Sequence, residues 1–232
     1  MEKEKSERIQ TSILNEVEKS ALVWLANRQP MWVTSDMLTF IGVMGAFICA
    51  IGYALSKYDL MWLWLSSFGL VINWYGDSLD GTLARTRNIE RPIYGFFIDH
   101  SLDAITICIM CIGAGLSPVF RMEIAMLLLI GYLVLSVYTY ICTIIKDEFR
   151  LTYGGIFGPT ELRLVIIILN TIVMYTNWID IKFNINKYIF GVYDIVGLLL
   201  ATSLFVMWLQ QFLVDRKILA EKDPKKTSNL ID

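Results

Sequence analysis

The sequence predicts an all-α, polytopic integral membrane protein with six transmembrane helices preceded by an interfacial amphipathic helix. Three observations predict this fold class. Of the 232 residues, 56% are hydrophobic and 18% are charged, whereas a soluble domain has about 45–50% apolar and about 25% charged residues. Apolar runs of membrane-spanning length recur along the chain. The basic residues gather in alternate connecting segments, as they do in membrane proteins.

Residues 1–36 are predicted to form an N-terminal cytoplasmic segment that contains the interfacial helix. Apolar residues recur there at helical spacing, at Ile9, Ile13, Leu14 and Val17. An apolar stretch over residues 21–25 follows them, and Trp24 and Trp32 are placed to anchor the segment at the membrane surface. Such a helix lies in the plane of the cytoplasmic leaflet with its apolar side in the lipid.

Residues 37–214 are predicted to form the six-helix transmembrane domain. A helix needs about 20 mostly apolar residues to cross the hydrocarbon. The runs that meet this requirement are 37–56, 60–76, 93–120, 124–145, 164–179 and 195–214. The fifth run is short, and we expect its helix to extend into the flanking segments. Residues 215–232 are predicted to be a cytoplasmic tail.

Basic residues orient the predicted bundle, because cytoplasmic loops carry an excess of Lys and Arg. Sixteen of the 20 basic residues lie in the N-terminal segment, the 77–94 loop, the 146–163 loop and the C-terminal tail. The loops on the opposite side hold the other four. We therefore expect both termini to be cytoplasmic.

Charge and cysteine placement exclude several classes of protein. Basic and acidic residues nearly balance, at 20 and 22, so the chain is not expected to bind nucleic acid. The four cysteines lie inside apolar runs, where neither a disulfide framework nor a zinc site is expected.

Four aspartates stand where the second predicted span ends and the third begins. Asp77 and Asp80 are three residues apart, and Asp99 and Asp103 are four apart. On helices, each pair therefore shares one face. A carboxylate within a membrane helix costs at least about 2.5–3.5 kcal/mol, so a cation is expected among the four. Carboxylate-only ligands favour Mg²⁺, Mn²⁺ or Ca²⁺.

The residues around the aspartates indicate which kind of ligand would bind beside such a cation. Gly81 and Ala84 leave one helix face bare for close approach of a ligand, and Arg85 offers a cationic fork to a phosphate. Together with the carboxylates, these features predict a diphosphate site. A purely structural alternative pairs the aspartates with Arg85, Arg87 and Arg91, but buried ion pairs rarely repay the desolvation of so many charges.

The segment resembles the signature of the CDP-alcohol phosphotransferase family, D-x-x-D-G-x-x-A-R, about eight residues, then G-x-x-x-D-x-x-x-D. All eight fixed positions match, at Asp77, Asp80, Gly81, Ala84, Arg85, Gly95, Asp99 and Asp103. One departure is that nine residues, 86–94, separate Arg85 from Gly95 instead of the usual eight. The resemblance extends to six spans with cytoplasmic termini, and covers roughly residues 30–215.

The resemblance implies a reaction and a set of roles. A phosphoalcohol group would pass from a CDP-linked donor to an alcohol acceptor with release of CMP, and the aspartates would hold Mg²⁺ or Mn²⁺. By this likeness Asp77, Asp80 and Asp99 are metal ligands, and Asp103 is a ligand or the base that deprotonates the acceptor. The residues expected against the cytidine and its phosphates are Gly81, Ala84, Arg85 and Gly95. The family also suggests a homodimer, with the active site on the cytoplasmic side.

His100, the only histidine, is a second candidate for the base because it lies between Asp99 and Asp103. Its position is similar to that of a candidate base in the choline and ethanolamine phosphotransferase branch. Two substrate schemes therefore stay open. CDP-diacylglycerol can donate to a small alcohol, or CDP-choline or CDP-ethanolamine can donate to diacylglycerol.

Glu161 and Arg163 lie just before the fifth predicted span and after the Gly158-Pro159 pair, at the membrane level of the aspartates. We expect them to shape the acceptor or donor headgroup site. The alternative is that they are ordinary helix-end charges.

A cation-coupled transporter would also place aspartates within membrane spans. Transport sites favour the bilayer midplane and inverted repeats. Here Asp77 and Asp80 lie at the cytoplasmic end of a span, and no repeat is apparent in the sequence. The sequence therefore favours the enzyme.

Overall fold

The structure is a computed structural model that describes residues 15–146, 159–185 and 188–223. About 84% of these residues are helical. The α-helices are α1 Asn15–Arg28, α2 Ser35–Leu55, α3 Leu63–Thr86, α4 Pro92–Gly115, α5 Met122–Lys146, α6 Pro159–Tyr175 and α7 Val192–Lys222. Short 3₁₀ helices span Leu60–Trp62 and Asn177–Asp180. An antiparallel hairpin of β1 Phe183–Ile185 and β2 Tyr188–Phe190 precedes α7.

Helices α2 to α7 lie where the six spans are predicted. Among the described residues, four helices are long and apolar enough to cross a membrane: α2, α4, α5 and α7. Helix α3 carries the polar residue Asn73 near its middle and Asp77 and Asp80 in its second half, and α6 has only 17 residues. The apolar helices indicate an integral membrane protein. The number of six spans and the cytoplasmic orientation stay predictions.

Helix α1 occupies part of the predicted interfacial segment. Ile9, Ile13 and Leu14 lie outside the described residues. Val17 is 70% exposed, while Leu22 and Ala26 are buried in a cluster with residues of α2 and α3. This helix therefore packs on the bundle, and its location at the membrane surface stays a prediction.

Helices α2 and α3 pack so closely that their backbones touch, and glycines make this possible. A Cβ on Gly45 would overlap the backbone of Asn73, and a Cβ on Gly76 would overlap the backbone of Gly42. Small residues allow this approach between membrane helices. The contact holds Asp77 of α3 next to α2, because Gly42 also faces the Asp77 backbone nitrogen.

A buried polar network joins four helices away from the aspartates. Tyr53 of α2 and Tyr193 of α7 each donate a hydrogen bond to Oδ1 of Asn170, at 3.1 and 2.6 Å. The Asn170 amide donates to Ser67 Oγ of α3 at 3.0 Å. Asn170 is fully buried. Ser67 is ten residues before Asp77, about 15 Å along α3.

Two helices extend well beyond the ends of their predicted spans, and α4 ends at Gly115, five residues before the end of the predicted span 93–120. Helix α3 continues ten residues beyond 76, through the whole first half of the motif, and α7 continues to Lys222 instead of ending at 214. Residues 215–222 are therefore helical, and residues 224–232 of the predicted tail lie outside the described part. The hairpin before α7 is not foreseen by the sequence reading. The domain boundaries stay predictions.

Candidate active site

The end of α3 and the start of α4 bring the aspartates of the motif together. Asp77, Asp99 and Asp103 each offer a carboxylate oxygen, and these three oxygens lie within 4.8 Å of one another. All three residues are partly buried. The i, i+4 spacing places Asp99 and Asp103 on one face of α4, and Asp77 joins them from α3.

A tight turn between α3 and α4 makes this convergence possible. The Ile89 N–H donates to the Ala84 carbonyl at 3.0 Å, and the Asn88 N–H donates to the Arg85 carbonyl at 3.2 Å. Asn88 adopts a left-handed backbone conformation with φ of 55°. This is a Schellman motif, in which asparagine is an accepted alternative to glycine. Pro92 then starts α4 with a preset φ.

Arg163 binds the cluster from a third helix. Its Nη2 donates to Asp77 Oδ2 at 2.7 Å and to Asn73 Oδ1 at 2.9 Å. Arg163 lies in the first half of α6, 86 residues from Asp77 in sequence. The structure therefore places Arg163 beside the aspartates, and its role in the headgroup site stays a prediction. Glu161, two residues earlier, is 7% exposed.

Asp80 is held differently from the other three aspartates. Its Oδ2 accepts a hydrogen bond from Thr39 Oγ1 of α2 at 2.6 Å, and its Oδ1 accepts one from the Gly81 N–H at 2.5 Å. Asp80 is not among the three residues whose oxygens converge. Of the four aspartates predicted as ligands, three therefore converge in this structure, and the fourth, Asp80, is hydrogen-bonded to α2.

His100 packs among aromatic rings beside the cluster. Its ring centroid is 4.1 Å from that of Phe96 and 5.0 Å from that of Tyr140 on α5. Its Nδ1 lies 3.4 Å from Asp99 Oδ2. The histidine therefore contacts one of the carboxylates that it adjoins in sequence, and a neighbouring carboxylate can orient an imidazole for proton transfer.

The remaining motif residues line the ends of the two helices. At Gly81, an added Cβ would be 3.3 Å from Nη1 of Arg85, and at Gly95 an added Cβ would meet nothing within 4 Å. Arg85 donates to Thr82 Oγ1 at 3.1 Å. The open space at Gly95 of α4 and the position of Arg85 at the end of α3 are compatible with a bound phosphate, and the binding roles of Gly81, Ala84, Arg85 and Gly95 stay predictions.

Two other arginines of this region bind elsewhere. Arg87 donates to backbone carbonyls at Val33, Gln29 and Pro30. The Arg91 guanidinium stacks 3.8 Å from the ring centre of Tyr94. These contacts of Arg87 and Arg91 do not support the structural alternative, in which the two arginines neutralise the aspartates.

The donor set fits a hard divalent cation. Three carboxylate oxygens converge, and Arg163 offers one positive charge to the three. A cleft is lined here by Thr39, Gly42, Val43, Asn73, Asp77, Asp99, Leu102, Asp103 and Thr106. Oxygen ligands of this kind select Mg²⁺, Mn²⁺ or Ca²⁺.

Sequence reasoning did not assign Thr39, Asn73 or Tyr140 to the site. Thr39 and Asn73 are polar residues within apolar runs, which is a usable signal. Tyr140 stands in an aromatic-rich stretch of α5 and gives no such signal. Its proximity to His100 depends on how α5 packs against α4.

Comparison with known proteins agrees with these features. The family described as CDP-alcohol phosphatidyltransferase matches residues 32–214. A phosphatidylinositol phosphate synthase of Cutibacterium acnes is 35% identical over 71 residues. That similarity covers 31% of this chain and 32% of the relative's length.

Proposed function

The chain belongs to the CDP-alcohol phosphatidyltransferase family, and we propose on this premise that it is a membrane phosphotransferase of phospholipid synthesis. It transfers a phosphoalcohol group from a CDP-linked donor to an alcohol acceptor and releases CMP. The observation that carries this proposal is the convergence of Asp77, Asp99 and Asp103 within 4.8 Å, next to a helix end that carries Arg85.

The donor we propose is CDP-diacylglycerol, with a small alcohol as the acceptor. The relative from Cutibacterium acnes is named for a phosphatidyl product. A phosphatidyl group carries its diacylglycerol on the transferred phosphate, so the lipid enters with the donor. The reverse scheme, in which CDP-choline or CDP-ethanolamine donates to diacylglycerol, is the alternative for the same chemistry.

The aspartates Asp77, Asp80, Asp99 and Asp103 would hold the Mg²⁺ or Mn²⁺ of the site. When bound, such an ion neutralises charge on the donor phosphates. Asp80, tied to Thr39, would contribute through its fixed orientation. Arg163 holds Asp77 in place, and together with Glu161 shapes the headgroup site.

The chemistry then needs a base and a phosphate clamp. Asp103 or His100 takes the proton of the acceptor hydroxyl, and the acceptor oxygen forms a bond to the donor phosphorus. The bond from that phosphorus to the oxygen of CMP breaks, and CMP leaves with the electron pair. Arg85 clamps the phosphates, while Gly81, Ala84 and Gly95 leave room for the cytidine and phosphates.

Release of CMP tests the proposed function. Purified protein in lipid vesicles is given CDP-diacylglycerol with a panel of small alcohols, or CDP-choline or CDP-ethanolamine with diacylglycerol. We expect CMP with the first donor in Mg²⁺ or Mn²⁺ and none after chelation. If CMP is released only with CDP-choline or CDP-ethanolamine, the lipid is the acceptor and the alternative scheme is correct. A folded protein that releases no CMP from any donor would overturn the proposal.

A further inference from the structure

Glu18 of α1 accepts hydrogen bonds from two other helices beside the candidate active site. Its Oε1 accepts from Trp74 Nε1 of α3 at 2.7 Å and from Thr160 Oγ1 of α6 at 2.6 Å. Glu18 is partly buried. One carboxylate oxygen thus joins α1, α3 and the first turn of α6.

The two donors to Glu18 lie close to the ion pair that joins α3 and α6 at the candidate active site. Trp74 is three residues before Asp77 on α3, and Thr160 is three residues before Arg163 on α6. Residues three apart are neighbours on one helix face. The Glu18 bridge therefore lies beside the 2.7 Å contact between Arg163 and Asp77.

Further contacts fix the end of α1 to the same region. Gln29 Nε2 donates to the hydroxyl of Tyr75 on α3 at 2.8 Å. Arg87, at the end of α3, donates to the Gln29 and Pro30 carbonyls at 3.0 and 2.9 Å. Helix α1 is thereby held at both ends against α3. It precedes the segment that matches the family, residues 32–214.

We propose that Glu18 is a positioning residue, which sets the place of Arg163 against Asp77 by holding the first turn of α6 to α3. The inference rests on the proposed function and deepens it, since it makes α1 part of the machinery that organises the site. Hydrogen bonds to a charged acceptor are stronger than neutral ones, so this carboxylate is well suited to bridge two helices.

Three variants in the full chain test the proposal: Glu18→Ala, Glu18→Gln and, as a matched control, Glu16→Ala on the exposed side of α1. The first readout is hydrogen exchange of the amides of residues 163–166, whose i−4 partners lie within α6; it needs no substrate. We expect at least tenfold faster exchange in Glu18→Ala and wild-type exchange in Glu16→Ala. Glu18→Gln keeps an oxygen that accepts both bonds, so we expect it to restore most of the protection.

The second readout is the rate of CMP release. We expect kcat to fall roughly tenfold in Glu18→Ala, as for the loss of hydrogen bonds to a charged group, with KM for the donor within twofold and recovery in Glu18→Gln. Glu18→Ala that matches Glu16→Ala in both exchange and kcat would overturn the proposal. If the wild-type protein released no CMP, the proposed function would fail, and exchange alone would still decide whether Glu18 holds α6.

Discussion

Two buried polar regions of this molecule, the Asn170 network and the aspartate cluster, differ in how their polar groups are satisfied. In the Asn170 network, neutral hydroxyls and an amide donate to one another at 2.6 to 3.1 Å. In the cluster, three carboxylates converge within 4.8 Å and Arg163 contacts Asp77. In the neutral network both tyrosine hydroxyls have an acceptor at Asn170, and the bonds join four helices. The cluster keeps excess negative charge, which a cationic ligand can balance.

Asp103→Asn, in the aspartate cluster, is expected to have the largest effect, and the effect is on turnover rather than on stability. The change keeps the side-chain size and removes one negative charge, so we expect turnover to fall about a thousandfold while the protein stays folded. CMP release and thermal unfolding in detergent measure the two effects. Asp180→Asn, in the exposed 3₁₀ helix before the hairpin, is the control and is expected to keep full activity. Full activity in Asp103→Asn would make the cluster structural.

Asn170→Leu affects the other region and is expected to lower stability. The Tyr53 and Tyr193 hydroxyls lose their acceptor, and a buried donor left without a partner costs about 1–3 kcal/mol. We expect a lower unfolding temperature with nearly unchanged kcat per folded molecule. Thr171→Val serves as the reference, because the Thr171 hydroxyl donates to the Ile167 carbonyl of its own helix. A large loss of kcat with unchanged stability would show that the network acts in catalysis.

Thr39→Val is expected to have the smallest effect of the three substitutions. It tests whether Asp80 belongs to the same metal site as the three convergent aspartates. The Thr39 hydroxyl donates to Asp80 Oδ2 at 2.6 Å, and its loss leaves that carboxylate held only through Oδ1 by the Gly81 N–H among the contacts described above. One hydrogen bond to a charged group contributes about 1.5–3 kcal/mol, so we expect the Mn²⁺ concentration for half-maximal activity to rise about tenfold. Thr202→Val, on the exposed part of α7, is the matched control. An unchanged metal requirement would separate Asp80 from the metal site.

The sequence reading predicted much of the site because its signal is local. The spacing of Asp77 and Asp80, and of Asp99 and Asp103, follows from helix periodicity alone. The connection between α3 and α4 is short, so the two helices can pack in few ways relative to each other. The family match, residues 32–214, confirms the resemblance on which the residue roles depend. Those roles themselves stay predictions, as do the substrates, the metal and the homodimer.

Other features could not be read from the chain. Asp77 and Arg163 are 86 positions apart in the sequence. No local pattern around either residue predicts that the two side chains are in contact. Thr39 and Asp80, on different helices, are joined only because glycines bring α2 and α3 into backbone contact. The bridge through Glu18 depends in the same way on where α1 packs.

The sequence by itself determined the apolar helices, the motif and the presence of four carboxylates next to apolar spans, because hydropathy and helical periodicity are properties of neighbouring residues. Tertiary structure alone decided which carboxylates converge, that Arg163 binds Asp77, and that Asp80 is held by α2. The physical reason is that hydrogen bonds and ion pairs act over about 3 Å, so they depend on how distant helices pack against one another.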